Sequence, residues 1–478
     1  MKKYISMAMT LAIVGFSACT EDQMDKVNVD NSHPQGSAVS ANLQLSEAIM
    51  STGFGSVSGD YAFYGASLTE QVMGSGNNQL MKAELRNSGE LAASSTFNNT
   101  WNNGYYNLKN LKEMEVKINE GLASSGEQWD LLGAVQCLQV INWGILTDLH
   151  GDIPYAEALQ EDIKQPNLSK QQEVYAGILA TIDEAIKNLQ RTDGNKGLKA
   201  EQDLLFKGNA KQWLGLAYAL KARYNLHKSA IDGGALAAAK AAAQQALDLG
   251  FQGAEITEFN GVTCDNPWSA FVWSRGYSAP SKTVADLMAA NNDPRYDYYN
   301  GDAAGQPGDE EVAKISFYND YPAYYDLGSQ PIHMFSLHEL YFILAECQAR
   351  AGEDATEAFQ AGVATCIDEI GSWFGEDLGG ADFAAGLEAS LENVMIQKYL
   401  AMCIDEQVET YTDIRRCKAM GQEFVKMTNP KNTQAGLNRW PNMLPYGNGS
   451  VSSNPNIAAA FGDGMYVYEK KCWIFGGN

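Results

Sequence analysis

The strongest constraint on the fold is the run DLLFKGNAKQWLGLAYALKARYNLH at 203–227, where Phe206, Ala210, Trp213, Ala217, Leu220 and Tyr224 recur every three to four residues. That period places them on one face of a helix, so the run predicts one long amphipathic helix with Trp213 buried near its middle. The turn Asp232–Gly234 follows, and ALAAAKAAAQQALDLG (235–250) reads as an alanine-dense partner helix stopped by Gly250. Small side chains let the two backbones approach closely, so the expected unit is an antiparallel helical hairpin. The unit recurs at 129–149 with 172–190, the second carrying Val174, Ile178, Ile182, Ile186 and Leu189 at helical steps, and again over 335–370, where Gly352 ends one helix and Ala355 and Ala358 open the next. Irregular spacing between the pairs points to degenerate tetratricopeptide-like units rather than a regular solenoid.

Further helices are expected over 96–118, with Trp101, Tyr105, Leu108 and Leu111 on one side, and over 392–420 as a single long helix. GFGSVSGD (53–60) lacks the third glycine and the flanking strand of a dinucleotide fingerprint, so Gly53, Gly55 and Gly59 read as loop glycines. Residues 251–334 lose the helical period and are rich in Gly, Asp, Pro and aromatics, and the chain from about Thr428 onward reads as loop. With 478 residues, 45% hydrophobic and 19% charged, the chain has ample material for a large core. Its net charge of −24 argues against a nucleic-acid partner, because phosphate binding draws on clustered Lys and Arg.

The N-terminus is a targeting segment: Lys2 and Lys3, an apolar run from Met7 to Phe16, then Ser17-Ala18-Cys19. The run is too short to span a bilayer. Small residues directly before a cysteine resemble the bacterial lipobox, which implies that Cys19 becomes the lipidated first residue of the mature chain. Thr20, Glu21 and Asp22 then open a polar tether to about Ser40, similar to the surface-export signal of Bacteroidetes lipoproteins. Seven cysteines remain, Cys137, Cys264, Cys347, Cys366, Cys403, Cys417 and Cys472. None lies in a CxxC and most sit in apolar helical stretches, so buried free thiols are expected, with one disulfide left open.

No catalytic constellation stands out. Asp148, His150 and Asp152 flank a helix end, where capping is favoured over metal ligation. His333 and His338 are five apart, which does not place two imidazoles on one helix face, so no zinc site and no other metal or cofactor is expected. A GxSxG elbow and a reactive-cysteine setting are both missing. Acidic residues are abundant, yet nothing marks two of them as a glycosidase pair. Arg415 and Arg416 are expected to pair with nearby carboxylates.

The aromatic segment carries the functional signal. Phe259, Trp268, Phe271, Trp273, Tyr277, Tyr296, Tyr298 and Tyr299 fall within 41 residues, about twice the chain-wide aromatic share of 10%. Flat rings beside Asn, Asp and Arg suit sugar faces, whose C–H groups stack on the ring while amides and carboxylates take the hydroxyls. Packing of the loop onto the scaffold is the competing explanation. The candidate platform is Trp268, Trp273 and Tyr277, with at least one facing outward, and Asp265, Asn266 and Arg275 supplying polar contacts; Tyr61, Tyr64 and Trp101 are the fallback rings.

The lipobox cysteine, LHGDIPYAEAL (149–159), QWLGLAYALKARYNLH (212–227), LYFILAECQARAG (340–352), IQKYLAMCIDEQVETYTDIRR (396–416) and RWPNMLPYGNGSVSSNPN (439–456) occur in an order that resembles the SusD/RagB family of nutrient-binding outer-membrane lipoproteins. The resemblance implies a mainly α-helical fold with four tetratricopeptide-like helix pairs, the fourth expected near 392–420, and an inserted loop-rich region that holds the ligand. It also implies a SusC-like TonB-dependent transporter as partner and an oligosaccharide, or in the RagB branch a peptide, as ligand. The expected division is a signal peptide at 1–18, a lipidated tether at 19–40 and one SusD-like domain at 41–478. Within that domain the scaffold is expected mainly over 41–250 and 335–425, and loop-rich parts over 251–334 and 426–478. The functional expectation is non-catalytic binding of a glycan nutrient at the cell surface; the alternatives are a RagB-like peptide carrier, a surface glycoside hydrolase and a tetratricopeptide-like adaptor for proteins. Cys19→Ala is expected to release the protein from the outer membrane completely, because a multiply acylated anchor holds far more firmly than one chain; membrane fractionation without the transporter checks this, and retention of the variant contradicts it.

Overall fold

The computed structural model describes residues 38–76, 78–315, 320–432 and 440–477, so the signal segment, Cys19 and most of the tether lie outside the described residues. The first half supplies α1 (Leu45–Thr52), α2 (Asp60–Leu68), β1 (Val72–Gly74), α3 (Asn98–Glu120), α4 (Trp129–His150), α5 (Gln171–Leu189), α6 (Ala210–His227) and α7 (Ala235–Asp248). The loop-rich part adds β2 (Ala254–Ile256), α8 (Pro267–Ser274), β3 (Ser278–Pro280), α9 (Lys282–Ala290) and β4 (Ile332–Phe335). The last long elements are α10 (Leu337–Ala351), α11 (Thr356–Phe374), α12 (Leu391–Ala401) and α13 (Gln407–Ala419). The helical hairpins form as the periodicity requires: α4 packs on α5, α6 on α7 and α10 on α11, while α3 on α4, α5 on α6 and α7 on α10 join them into one continuous stack. Where α4 meets α6 the contact depends on Gly144, since a Cβ there would sit 2.0 Å from the Tyr224 hydroxyl.

Three local expectations are corrected. α6 begins at Ala210, not at 203, because the Asp203 carboxylate accepts from the backbone N–H groups of Leu205, Phe206 and Gly208 and winds 203–208 into a turn. Asn209 then caps the helix, and the Trp213 indole, fully buried, donates to the same Asp203 at 2.9 Å. The single helix expected over 392–420 is two, and not a hairpin: α12 lies on α10 and α11, whereas α13 lies on α2. The break at 402–406 contains neither Gly nor Pro. It turns the Asp405 carboxylate to the His333 backbone N–H (2.7 Å) and the Glu406 carboxylate to the Ser336 N–H (3.0 Å), where both are buried. Nor is 53–57 a loop: α1 continues there as a wider, π-helical turn in which Gly53 lies against Ile256. The C-terminal stretch, expected as loop, carries short helices at Asn448–Ser453, Pro455–Phe461 and Tyr466–Glu469.

Of two antiparallel strand pairs, β1 with β3 (Val72 opposite Pro280) stitches the loop-rich part to the N-terminal half, and β2 with β4 (Glu255 opposite His333) closes the two ends of that part on each other. Six of the seven cysteines among the described residues are buried free thiols and Cys264 is half-buried, also free, as expected.

Beneath the apolar contacts runs a chain of buried charges. The Arg223 guanidinium of α6 donates to both carboxylate oxygens of Glu339 and lies 3.8 Å from Glu406 and 3.6 Å from Glu409. On the same helix His227 bridges Asp148 of α4 and Glu409 of α13, each at 2.9 Å, and the Tyr175 hydroxyl of α5 closes on Asp148. Asp148 therefore serves an ion pair rather than a helix cap. His150 bonds Tyr61 (2.7 Å) and the Leu444 carbonyl (3.1 Å), and Asp152 holds Lys170 and the Gln171 N–H at the start of α5, so the three do not converge on a common point. Arg416 pairs with Glu346 and Asp413, both at 2.7 Å, and Lys398 of α12 joins Asp413 at 2.6 Å. Arg415 departs from the expectation: it donates to the carbonyls of Asp148 and Asn442 and stacks over Tyr411 and Phe475.

Burial works against a charge on His227, but the Asp148 and Glu409 carboxylates outweigh it and push the imidazole pKa up to about 9. With an unfolded value near 6.5, this pairing stabilises fully below that pH and is lost as pH rises through about 9, a change on the order of 3 kcal/mol. Urea unfolding is expected to show stability falling from pH 6.5 to 9.5, less steeply in His227→Gln; equal slopes in the two proteins contradict the assignment.

Candidate functional site

An open cavity of about 550 Å³ lies in the loop-rich part, walled by Trp273, Asn300, Tyr321, Ala323, Asp326, Leu327 and Phe374. Trp273 is the exposed ring, at 69%. Its exposure follows from helical geometry, because Trp268 and Trp273 are five residues apart on α8 and five steps of about 100° turn them to different faces. Trp268 faces in: it is 1% exposed, lies parallel to the Tyr325 ring at 4.4 Å and meets Phe63 edge-on at 4.6 Å. α8 itself is fixed at its start, where the Asn266 side chain accepts from the Trp268 N–H and donates to the carbonyls of Gln330 and Pro331, with Pro267 in the first turn. The Ser269 hydroxyl accepts from the Gly328 N–H at 2.9 Å, and the Tyr325 hydroxyl reaches the Cys403 carbonyl at 2.8 Å, tying the segment after Pro322 to the scaffold.

The other walls come from three separate elements. Phe374 is the last residue of α11 and is backed by Tyr298 at 4.7 Å. Asn300 occupies a left-handed backbone position (φ 61°), which its side chain tolerates better than most. The Tyr321 hydroxyl donates to Asp326 at 2.8 Å; partial burial and that hydrogen bond push its pKa up to about 12, so it remains a neutral phenol at ordinary pH. Among the described residues the Asn300 side-chain amide reaches the Tyr321 carbonyl, at 3.5 Å, and Asn300 lines the cavity, where an amide can both donate and accept. A cavity lined by three rings, an amide and a carboxylate fits a ligand that has apolar faces and hydroxyl edges.

The six residues expected to bind do not act as a group. Trp273 lines the cavity. Trp268 and Asn266 are buried structural residues, contrary to the expectation, because one fills the interface with Tyr325 and Phe63 and the other spends its amide on capping and carbonyls. Tyr277 is half-buried against Phe271 (5.9 Å), with the exposed Arg275 over its ring, and Asp265 is exposed; none of these three is a wall of the cavity. The fallback rings Tyr61, Tyr64 and Trp101 are all buried and drop out. Tyr321 and Asp326 in DYPAYYD, Asn300, and Phe374 at a scaffold helix end were missed; the dense aromatics around Pro322 are a signal of the kind used at 259–299, whereas nothing local marks Phe374.

A stack of helical hairpins carrying an open aromatic cleft on an insertion defines a binding scaffold. Residues 66–441 match the model of a SusD-like family described as starch-binding and associating with the outer membrane, and the chain belongs to that family. Among solved structures, a SusD/RagB family protein from Bacteroides thetaiotaomicron is 28% identical, with 92% of this chain and 100% of that chain covered and a TM-score of 0.81. A chitin-binding SusD homologue from Flavobacterium johnsoniae shares the fold at 16% identity, with 90% and 98% covered and a TM-score of 0.70. A further chitin-binding protein is 20% identical, with 92% and 99% covered and a TM-score of 0.71. None of the curated protein sequences matches the chain. Among the described residues no helix is long and apolar enough to cross a membrane.

Trp268→Ala is expected to lower stability by about 3 to 5 kcal/mol, as for other fully buried rings. Thermal melts check this; an unchanged midpoint contradicts the inward placement.

Proposed function

We propose that this protein is a non-catalytic, surface-anchored receptor that binds oligosaccharide in the Trp273 cavity and passes it to a SusC-like TonB-dependent transporter. The observation that carries the reading is the one large ring held out to solvent over the cavity, 69% exposed, while its neighbour Trp268 is sealed beneath it. An exposed indole costs a monomer solubility unless a ligand covers it, and the ring is presented on a helix pinned at its N-terminus rather than on a free loop. The family description and two chitin-binding structural relatives support a glycan over other nutrients. Anchoring through Cys19 and a tether to about residue 40 lets the cavity stand off the membrane surface. The domain division at 41–478 belongs to the same reading.

The test is calorimetric titration of the soluble domain with chito-, malto- and xylo-oligosaccharides, beside a reducing-end assay. The expected result is binding to one class with no new reducing ends. Trp273→Ala should weaken that binding at least tenfold, about 1.4 kcal/mol, with the melting temperature nearly unchanged. Parent-like binding by Trp273→Ala overturns the site, turnover overturns the non-catalytic reading, and retention of peptides with no glycan bound moves the ligand to the peptide class.

A further inference from the structure

Among the described residues, Glu255, His333 and Glu369 are the group whose donor atoms lie close enough to share a metal ion, all within 4.8 Å of one another. The three come from different elements. Strand pairing sets Glu255 of β2 directly opposite His333 of β4, and Glu369 reaches them from α11. The His333 Nε2 is 2.7 Å from Glu369 Oε1 and 4.0 Å from Glu255 Oε1. Its other nitrogen, Nδ1, is 2.8 Å from Asp405 Oδ1, and the second oxygen of Asp405 accepts the His333 backbone N–H at 2.7 Å. A carboxylate that takes the Nδ1 proton fixes the ring and turns the Nε2 lone pair toward Glu369 and Glu255, the outer support found behind histidine ligands of metal sites.

A second observation points into the same place. His338, at the start of α10 and 1% exposed, has its ring 5.7 Å from that of His333. Its Nδ1 lies 3.5 Å from Glu369 and its Nε2 3.1 Å from Glu406, so it stands beside a carboxylate of the cluster. A second buried imidazole facing Glu369 places another nitrogen donor within reach of the cluster. The helical-spacing argument against zinc does not apply to this pair, since His333 sits on a strand and His338 on the helix that follows.

We infer that Glu255, His333 and Glu369 bind a divalent transition-metal ion, with zinc the best match to one imidazole and two carboxylates. Imidazole argues against calcium and magnesium, which prefer all-oxygen shells. Tetrahedral zinc with bonds of about 2.0–2.1 Å sets its donors about 3.3 Å apart. The two His333 distances, 2.7 and 4.0 Å, straddle that value, and all three donors lie within 4.8 Å, so small side-chain rotations of the two glutamates complete the site. The Glu255 side chain is 32% exposed and Glu369 17%, which provides an entry path and leaves the fourth position to water or to His338. In the metal-free chain a proton holds the His333–Glu369 contact. The bound ion staples the β2–β4 pair of the insertion to α11, five residues before the cavity residue Phe374. The buried Asp405 and Glu406 that back the two histidines come from the turn that interrupts α12 and α13.

The test uses the soluble domain stripped with chelator, then titrated with zinc alone and with cobalt alone. The expected result is one zinc bound per chain at micromolar affinity or better, visible cobalt bands of a low-coordinate site, and a melting temperature that rises with zinc. Glu255→Gln removes one ligand and leaves the His333–Asp405–Glu369 contacts in place, so it is expected to fold, to bind zinc at least tenfold more weakly and to lose the zinc-dependent rise in melting temperature. The proposal is overturned if the parent binds no stoichiometric zinc, or if Glu255→Gln binds zinc and shifts its melt as the parent does.

Discussion

The interaction on which the rest of the structure depends is the buried pairing of Arg223 with Glu339, flanked by Glu406 and Glu409. A guanidinium that is 3% exposed cannot remain unpaired, and breaking a buried pair by removing one partner costs about 3 to 5 kcal/mol. Because its partners come from α10, α13 and the turn before α13, one side chain of α6 ties together segments more than a hundred residues apart. His227 extends the chain of charges to α4 and α5, and Glu346 with Arg416, Asp413 and Lys398 extends it through α12. Apolar helix faces tolerate sliding, but paired charges do not: a one-turn shift of α13 separates Arg416 from Glu346. The register of the hairpin stack is therefore held by charges inside an otherwise apolar core.

That rigidity bears on where the proposed binding cavity sits. The helices spend most of their side chains on one another, and all the residues lining the cavity except Phe374 lie on the insertion between α7 and α10. The insertion is nonetheless anchored, to the rest of the chain by β1 with β3 and by Tyr325 reaching Cys403, and within itself by β2 with β4 and by Asn266 and Ser269 at α8. Trp273 is thus presented from a fixed base, which limits the ordering cost that a loop-borne ring would incur on binding. The cavity wall is completed by Phe374 from the scaffold, so helix packing sets the width of the cleft.

Hairpin positions were legible because burial imposes a period on local sequence: Val174 to Leu189 on α5 and the alanines of α7 repeat as they must to pack. What escaped was decided by long-range partners. The break at 402–406 has no local signature, since its cause is the demand of His333 and Ser336 for carboxylates. The start of α6 is the local exception: it waits on Asp203, whose turn with Leu205, Phe206 and Gly208 the apolar period alone does not reveal. In the candidate site, density of aromatics marked the segment that supplies Trp273 to the cavity but could not tell inward from outward rings. Trp268 and Trp273 have similar neighbours in sequence, and only the direction of Tyr325 and Phe63 distinguishes them. Phe374 and Asn300 reach the cavity through tertiary packing alone.

The most direct measurement of the central claim is a crystal structure of the soluble domain with its tightest-binding oligosaccharide. The account predicts a sugar ring stacked on the Trp273 indole between Tyr321 and Phe374, its hydroxyls within hydrogen-bond distance of Asn300 and Asp326. Ligand density at another surface, such as the depression lined by Ser88, Asn448 and Met465, with the Trp273 cavity empty, would contradict it.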